Sequence, residues 1–159
     1  MRTPSRPLQR VSIEPPLSPV EVAFVASFHG ADRAVDGVRR MWPNQPSARS
    51  PWSPTPDGTE LVLVLDPRHE ADAATTTAGW LRFLAQEFLA PRTEGALAFA
   101  LRHGLDGGHR LTGRVLLDGV REITVSNNRV NERVRRQPTG ADADVFELDD
   151  RRRAHSTEL

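Results

Sequence analysis

The chain has 159 residues, which is enough for one domain of ordinary size with its own hydrophobic core. Its 21 basic and 21 acidic residues cancel, which argues against nucleic acid or an anionic membrane as the main partner. The absence of cysteine excludes disulfides, thiolate nucleophiles and cysteine-ligated metal centres. No stretch matches a signal peptide or a membrane span, so the sequence predicts a cytoplasmic protein.

The first predicted element is a helix over residues 19–29. Ser18 and Glu21 have the spacing of a capping box, and Pro19 stands at the first helical position, where its missing N–H is not needed. Apolar residues then recur at helical spacing until Gly30, which is a typical helix terminator.

An irregular, proline-rich segment is predicted over residues 31–58. Its five prolines argue against a continuous helix or a central strand. Trp42 and Trp52 lie within it and allow two interpretations. They are contact residues that stack against a ligand or a partner, or they are anchors that hold the segment on the domain.

Three elements are predicted in the middle of the chain. The apolar run over residues 61–65 indicates a strand covered on both faces. The stretch AGWLRFLAQEFLAP has helical periodicity and ends at Pro91. The stretch ALAFAL, residues 96–101, is predicted as a strand with its large residues on one face and its alanines on the other.

A hairpin is predicted after residue 110, and its register depends on the loop. A three-residue loop, 117–119, pairs Val115 with Arg121 and keeps the apolar side chains on one face, so it is preferred. A two-residue turn at 118–119 would instead set Val115 opposite Glu122.

The C-terminal part of the domain is predicted to turn once more at Asn127–Asn128 into a last strand over residues 129–134. The resulting domain spans residues 12–135. Residues 1–11 are expected to be flexible, and residues 136–159 are expected to form a disordered tail because they are highly charged and poor in apolar residues.

One loop, LRHGLDGGHRLTG, has the residue types of a functional site. His103, Asp106 and His109 could together bind a divalent metal, with His69 and Glu70 as possible additional ligands. The alternative is a glycine-rich link between two strands, in which Asp106 bonds its own turn. This second interpretation is favoured, because the spacing matches no established metal motif.

Three stretches, WLRFLAQEFLAP, HRLTGRV and EITVSNNRV, resemble an uncharacterised group of small actinobacterial proteins, which also begin with a PPLSP-like helix start. The exclusive use of arginine over lysine fits the GC-rich coding of such organisms. The resemblance runs from Pro15 to Val134, although residues 66–75 lack the group's aromatic character. It implies no activity, cofactor or substrate. Its signature positions are Trp80, Leu81, His109, Leu111, Gly113, Val125, Asn128 and Val130.

The sequence therefore predicts an α+β domain with a mostly antiparallel sheet of four to six strands and two helices packed on one face. The expected function is that of a small cytoplasmic, non-enzymatic binding or adaptor module with a protein partner and no cofactor. Trp42, Trp52, His103, Asp106 and His109 are its candidate contact residues. The alternative is a metal-binding protein or a metal-assisted hydrolase that uses His103, Asp106 and His109.

Overall fold

The computed structural model describes residues 9–29, 42–65, 70–117 and 119–135, without the side chains of residues 70–74. The predicted disordered tail, most of the predicted flexible N-terminus and the first part of the proline-rich segment lie outside these residues. His69 and the side chain of Glu70, the additional metal ligands suggested by the sequence, lie outside them as well.

The described residues form six strands and three α-helices, and the second helix continues into a π-helical turn. The strands are β1 (Arg10–Glu14), β2 (Trp52–Pro54), β3 (Glu60–Leu63), β4 (Arg110–Leu117), β5 (Arg121–Ser126) and β6 (Arg129–Val134). The helices are α1 (Pro19–His29), α2 (Glu70–Leu84) and α3 (Glu94–Arg102), and the π-helical turn is Ala85–Leu89.

The strands form one sheet in the order β2-β3-β1-β4-β5-β6, and every pair is antiparallel. The predicted α+β class with a mostly antiparallel sheet is thus confirmed, at the upper end of the predicted strand number. β1 and β2 were not predicted as strands. β2 lies inside the predicted irregular segment, and it tolerates Pro54 because it is an edge strand.

α1 begins and ends as predicted. The Ser18 N–H donates to the Glu21 carboxylate at 2.8 Å, and the Glu21 N–H donates to the Ser18 hydroxyl at 3.3 Å. This reciprocal pair satisfies N–H groups that a helix start otherwise leaves without a partner. The capping box therefore determines where this helix begins.

The predicted second helix is confirmed as α2 and its π-helical turn. Its apolar residues Trp80, Leu81, Leu84 and Phe88 are all buried. They join the buried side chains of the sheet in one hydrophobic core. The helical periodicity was a sufficient signal here because the apolar face extends over more than two turns.

The prediction of a strand at residues 96–101 was wrong, because these residues belong to α3. Ala96 and Ala100, one turn apart, are its buried residues, whereas Leu97 and Leu101 are exposed. The alternation of large and small residues imitated a strand, although alanine is the strongest helix former. The Thr93 side chain caps the start by accepting from the Ala96 N–H at 3.2 Å.

The glycine-rich loop therefore joins a helix to a strand, and not two strands as predicted. Gly104 has a φ of 73°, and the Leu105 N–H donates to the Ala100 carbonyl at 2.9 Å. This is the hydrogen bond of a Schellman helix end, which requires a left-handed residue. Gly104 thus ends α3.

The predicted register of the β4–β5 hairpin was also wrong. Val115 pairs with Ile123 and Leu117 with Arg121, so that three residues, 118–120, connect the paired ends. This arrangement sets apolar Val115 against apolar Ile123, and both are fully buried. The structure thus satisfies the like-with-like criterion better than either loop considered from the sequence. The Asn127–Asn128 turn and β6 agree with their prediction.

The sheet buries alternate residues. In β3, Leu61 and Leu63 are buried and Val62 is half-buried, and Val64, directly after the strand, is exposed. The expectation of a strand covered on both faces was therefore wrong. The buried set continues across the sheet through Val11 and its neighbours into the core. No described helix is long and apolar enough to cross a membrane.

Candidate functional site

His109, the most buried of the predicted site residues in the loop, lies at the start of β4. Its Nδ1 is 2.7 Å from the Pro15 carbonyl oxygen, and its Nε2 is 2.9 Å from Oε1 of Glu21. Both neighbours are hydrogen-bond acceptors, so both are satisfied only when both ring nitrogens of His109 carry hydrogen. The side chains of His109 and Glu21 are each only 1% exposed. With both nitrogens carrying hydrogen, the ring forms a buried ion pair with Glu21 that joins the residue before β4 to the start of α1.

Glu21 is the centre of this buried cluster. The Asp106 N–H also donates to its Oε1, at 2.7 Å. Burial by itself raises the pKa of the Glu21 carboxyl. The donors around it, first the Ser18 N–H and then the His109 ring and the Asp106 N–H, outweigh burial and hold this pKa below its ordinary value of 4.5. The carboxylate is therefore kept charged at neutral pH.

The three predicted metal ligands do not converge. His109 is buried, whereas the side chains of His103 and Asp106 are exposed. The His103 ring lies against the Phe99 ring, with the centroids 4.1 Å apart. Among the described residues, no three side chains of the metal-binding types lie together. Since both nitrogens of His109 face other acceptors, this arrangement lends no support to the metal hypothesis.

Trp52 is a core residue. Its side chain has no exposed surface, and its indole N–H donates to the Thr77 carbonyl at 3.0 Å. The prediction that it contacts a partner does not agree with this position. The anchoring role that the sequence also allowed is the one that the structure shows, because the ring attaches β2 to α2.

Trp42, by contrast, is only partly buried and forms one wall of a cleft. Its ring lies 4.9 Å from that of Phe99 at 81°, and 5.8 Å from that of Phe88 at 79°. Phe83 continues the wall, 5.3 Å from Phe88 at 86°. These nearly perpendicular pairs have the edge-to-face geometry that aromatic rings prefer.

The cleft is a cavity of about 250 Å³ that opens to solvent. The other residues along it are small or polar: Pro43, Asn44, Glu87, Gly95 and Ala96. Glu87 is half-buried, and no hydrogen bond or ion pair involves its carboxylate within the described part of the chain. Gly95 and Ala96 belong to the first turn of α3. Among the described residues that line it, the cleft therefore combines aromatic walls with one charged group, the Glu87 carboxylate.

Exposed apolar side chains lie on the same helix as one wall of the cleft. Leu97 is 45% exposed and Leu101 is 62% exposed, and one turn of α3 separates them. They stand on the side of α3 opposite to Phe99, and exposed apolar side chains that lie together are frequent where another protein binds.

A second, more open depression lies where β4 begins, beside His109 and Asn128. Its polar groups already have partners. The Asn128 side chain accepts from the Leu111 N–H at 2.7 Å and donates to the His109 carbonyl at 3.0 Å. Arg110 pairs with Glu14 at 3.0 Å. These groups hold the strand ends together and leave few polar atoms for a ligand.

Sequence reasoning identified Trp42 but missed the residues that complete the cleft. Phe88 was assigned to the helix core, Phe99 was placed in a strand, and Glu87 received no role. One feature of the sequence indicated the cleft: the Glu87 carboxylate stands directly before Phe88, a residue on the apolar face of the predicted helix. The position of Trp42 opposite these residues depends on tertiary packing and has no local signature.

Comparison with known proteins identifies no relative: no protein-family description, no curated protein and no solved structure matches the chain. The function must therefore be inferred from the site itself.

Proposed function

We propose that this protein is a small, cytoplasmic, non-enzymatic binding or adaptor module that acts through a protein partner, with the cleft at Trp42 as its contact surface. One observation carries the proposal: an aromatic cleft opens to solvent on the helix that also exposes Leu97 and Leu101. Protein interfaces depend on a few large aromatic contacts in pockets, surrounded by a rim of less critical residues.

The charges of the sheet support a protein rather than a nucleic acid as the partner. Arg114 and Arg135 both pair with Glu122, at 2.7 and 3.0 Å, and Arg10 pairs with Glu60 at 2.6 Å. Neighbouring carboxylates thus neutralise much of the positive charge on these strands. A surface that binds phosphates needs unneutralised arginines.

The proposal keeps three expectations from the sequence. Two helices pack on one face of the sheet, the protein needs no cofactor, and the chain belongs with the actinobacterial group that it resembles. These three expectations are compatible with a small binding module that recognises its partner through one surface.

Photo-crosslinking in the source cells tests the proposal. A photoreactive amino acid at position 95 places its probe at the cleft, because a side chain added to Gly95 meets no atom within 4 Å. The matched control carries the same amino acid at Thr112, an exposed position on β4. We expect one defined protein adduct from position 95, absent from position 112 and lost when Phe99→Ala opens the cleft wall.

The result that would contradict the proposal is equally specific. If position 95 yields no adduct, or the same adducts as position 112, the cleft is not a protein contact surface. Phe99→Leu separates loss of the ring from loss of the fold, because it retains an apolar side chain of similar size. Circular dichroism of each variant reports whether its helices are intact.

A further inference from the structure

We propose that the cleft binds an alkylammonium group, namely the side chain of a lysine or a methylated lysine that the protein partner presents. This inference rests on the proposed function, since it names the chemistry that the same cleft recognises. It depends on three features: the two partly buried rings, the Glu87 carboxylate, which has no partner among the described residues, and the size of the cavity.

The aromatic walls provide the orientation that a cation needs. An ammonium group is attracted to the negative face of an aromatic ring, and recognition of methylated ammonium groups uses several rings set around one volume. Trp42 and Phe99 meet at 81°, and Phe83 and Phe88 meet at 86°. Phe83 and Phe88 are buried, whereas Trp42 and Phe99 are only partly buried and lie in different planes, so a group in the cleft can contact both of these two rings.

Glu87 supplies the complementary charge. It is half-buried at the cleft, and no cation neutralises its carboxylate within the described part of the chain. None of the described residues that line the cleft is basic. The cleft is therefore electrostatically suited to a cation, which would also satisfy the Glu87 carboxylate.

The cavity volume restricts the ligand to a small group. At about 250 Å³ it is smaller than most pockets that enclose a whole metabolite, which begin at roughly 300 Å³. One side-chain head group fits a volume of this size, with its aliphatic stem leading out to solvent through the open side of the cleft.

Other occupants fit less well. A phosphate or carboxylate group would meet the negative charge of Glu87 and the negative faces of the rings. An uncharged apolar side chain would pack against the rings but would bury the Glu87 carboxylate without a partner, which is unfavourable. A lysine-type side chain satisfies both the rings and the carboxylate.

Titration with small probes tests the inference directly. The probes are the capped amino acids Nα-acetyl-lysine N-methylamide and its trimethylated form, with Nα-acetyl-norleucine N-methylamide as the uncharged control, all at constant ionic strength. Tetramethylammonium chloride distinguishes free quaternary amines from lysine side chains. The readout is the indole N–H signals of the three tryptophans in a ¹H–¹⁵N spectrum. Trp42 reports on the cleft, because Trp52 and Trp80 are fully buried.

We expect the charged probes to shift the Trp42 signal saturably and to bind several-fold more tightly than norleucine amide, on the order of fivefold. Glu87→Gln should abolish most of this preference for charge, whereas Glu94→Gln, which alters an exposed carboxylate beside the cleft, should retain it. Gly95→Phe should block binding of every probe by filling the cleft. Gly95→Ala should bind like the unmodified protein.

The outcomes separate this inference from the proposed function. Equal binding of charged and uncharged probes, or a charge preference that survives Glu87→Gln, overturns the alkylammonium assignment. No binding of any probe, while position 95 still crosslinks a protein, overturns it as well and leaves the proposed function intact. Saturable binding of the charged probes without any crosslink supports the cation site and contradicts the protein partner. Tighter binding of free tetramethylammonium than of either lysine probe overturns the lysine source.

Discussion

At the residue scale, Glu21 makes one contact with a near neighbour in the sequence and one with a distant residue. Its capping of Ser18 is local and could be predicted from a three-residue spacing. Its ion pair with His109 joins residues that are 88 positions apart in sequence. No pattern in the sequence indicates that pairing, because it arises only when β4 is placed beside the start of α1.

We predict that Glu21→Gln is destabilised by about 3 kcal/mol at neutral pH, because it leaves the charged partner of a buried pair uncompensated. The sign of the pH dependence follows from the lowered pKa of Glu21. Its contribution is complete above the ordinary pKa of 4.5 and is lost as the pH falls through the lower pKa of the folded state. The difference between the two proteins should therefore shrink in acid.

Urea denaturation of both proteins over a series of pH values measures this difference. Glu14→Gln is the matched control, since that carboxylate pairs with Arg110 at the surface and is 76% exposed. An exposed pair of this kind contributes little to the free energy of unfolding. Equal losses in Glu21→Gln and Glu14→Gln would contradict the assigned role of the buried pair.

At the scale of the element, α3 shows how a two-residue alternation can be misleading. Leu97, Phe99 and Leu101 read as one face of a strand, yet the structure buries the small residues Ala96 and Ala100 instead. The signals of a helix were present at both ends, in the capping Thr93 and the terminating Gly104. These helix-end signals were more informative than the alternation, because β-strands have no equivalent capping requirement.

We predict opposite effects for two substitutions at the start of α3. Thr93→Ala removes the cap and should lower the free energy of unfolding by about 1 kcal/mol. Gly95→Ala should raise it by roughly 0.5–1 kcal/mol, because alanine is the better helix former and its methyl group meets no neighbour. Chemical denaturation measures both values.

Gly119→Ala is the control for the second substitution. This glycine also has open space around it, but its φ is 71°, so alanine there should cost about 1 kcal/mol or more. If Gly95→Ala were destabilised as much as Gly119→Ala, position 95 would not have the helical backbone described.

At the scale of the whole molecule, the core joins buried residues of the sheet to buried residues from all three helices. Four of its largest fully buried side chains were placed from the sequence in a helix with an apolar face or in an apolar strand: Trp80, Leu81, Leu84 and Leu61. The cleft lies at the margin of this core, where Trp42 and Phe99 remain partly buried. A binding site at that position uses rings that the fold already needs for its stability.

The packing of the whole molecule also leads to a prediction about metal binding. We predict that protein purified without an affinity tag contains less than one equivalent of any divalent metal by elemental analysis. Chelation should leave its melting temperature unchanged, because both His109 nitrogens already have partners. His103→Ala should also leave it unchanged, since that side chain is exposed. Stoichiometric metal that is lost in His109→Ala would restore the metal-binding alternative.

The sequence by itself determined the features that depend on near neighbours. These are the cap and length of α1, the periodicity of α2, the Asn127–Asn128 turn and the α+β class. Only the tertiary structure decided the features that join distant residues, namely the sheet order around β1, the hairpin register, the Glu21–His109 pair and the cleft opposite Trp42. The physical reason is that capping and periodicity are short-range, whereas strand pairing and cavity shape depend on how whole elements pack together.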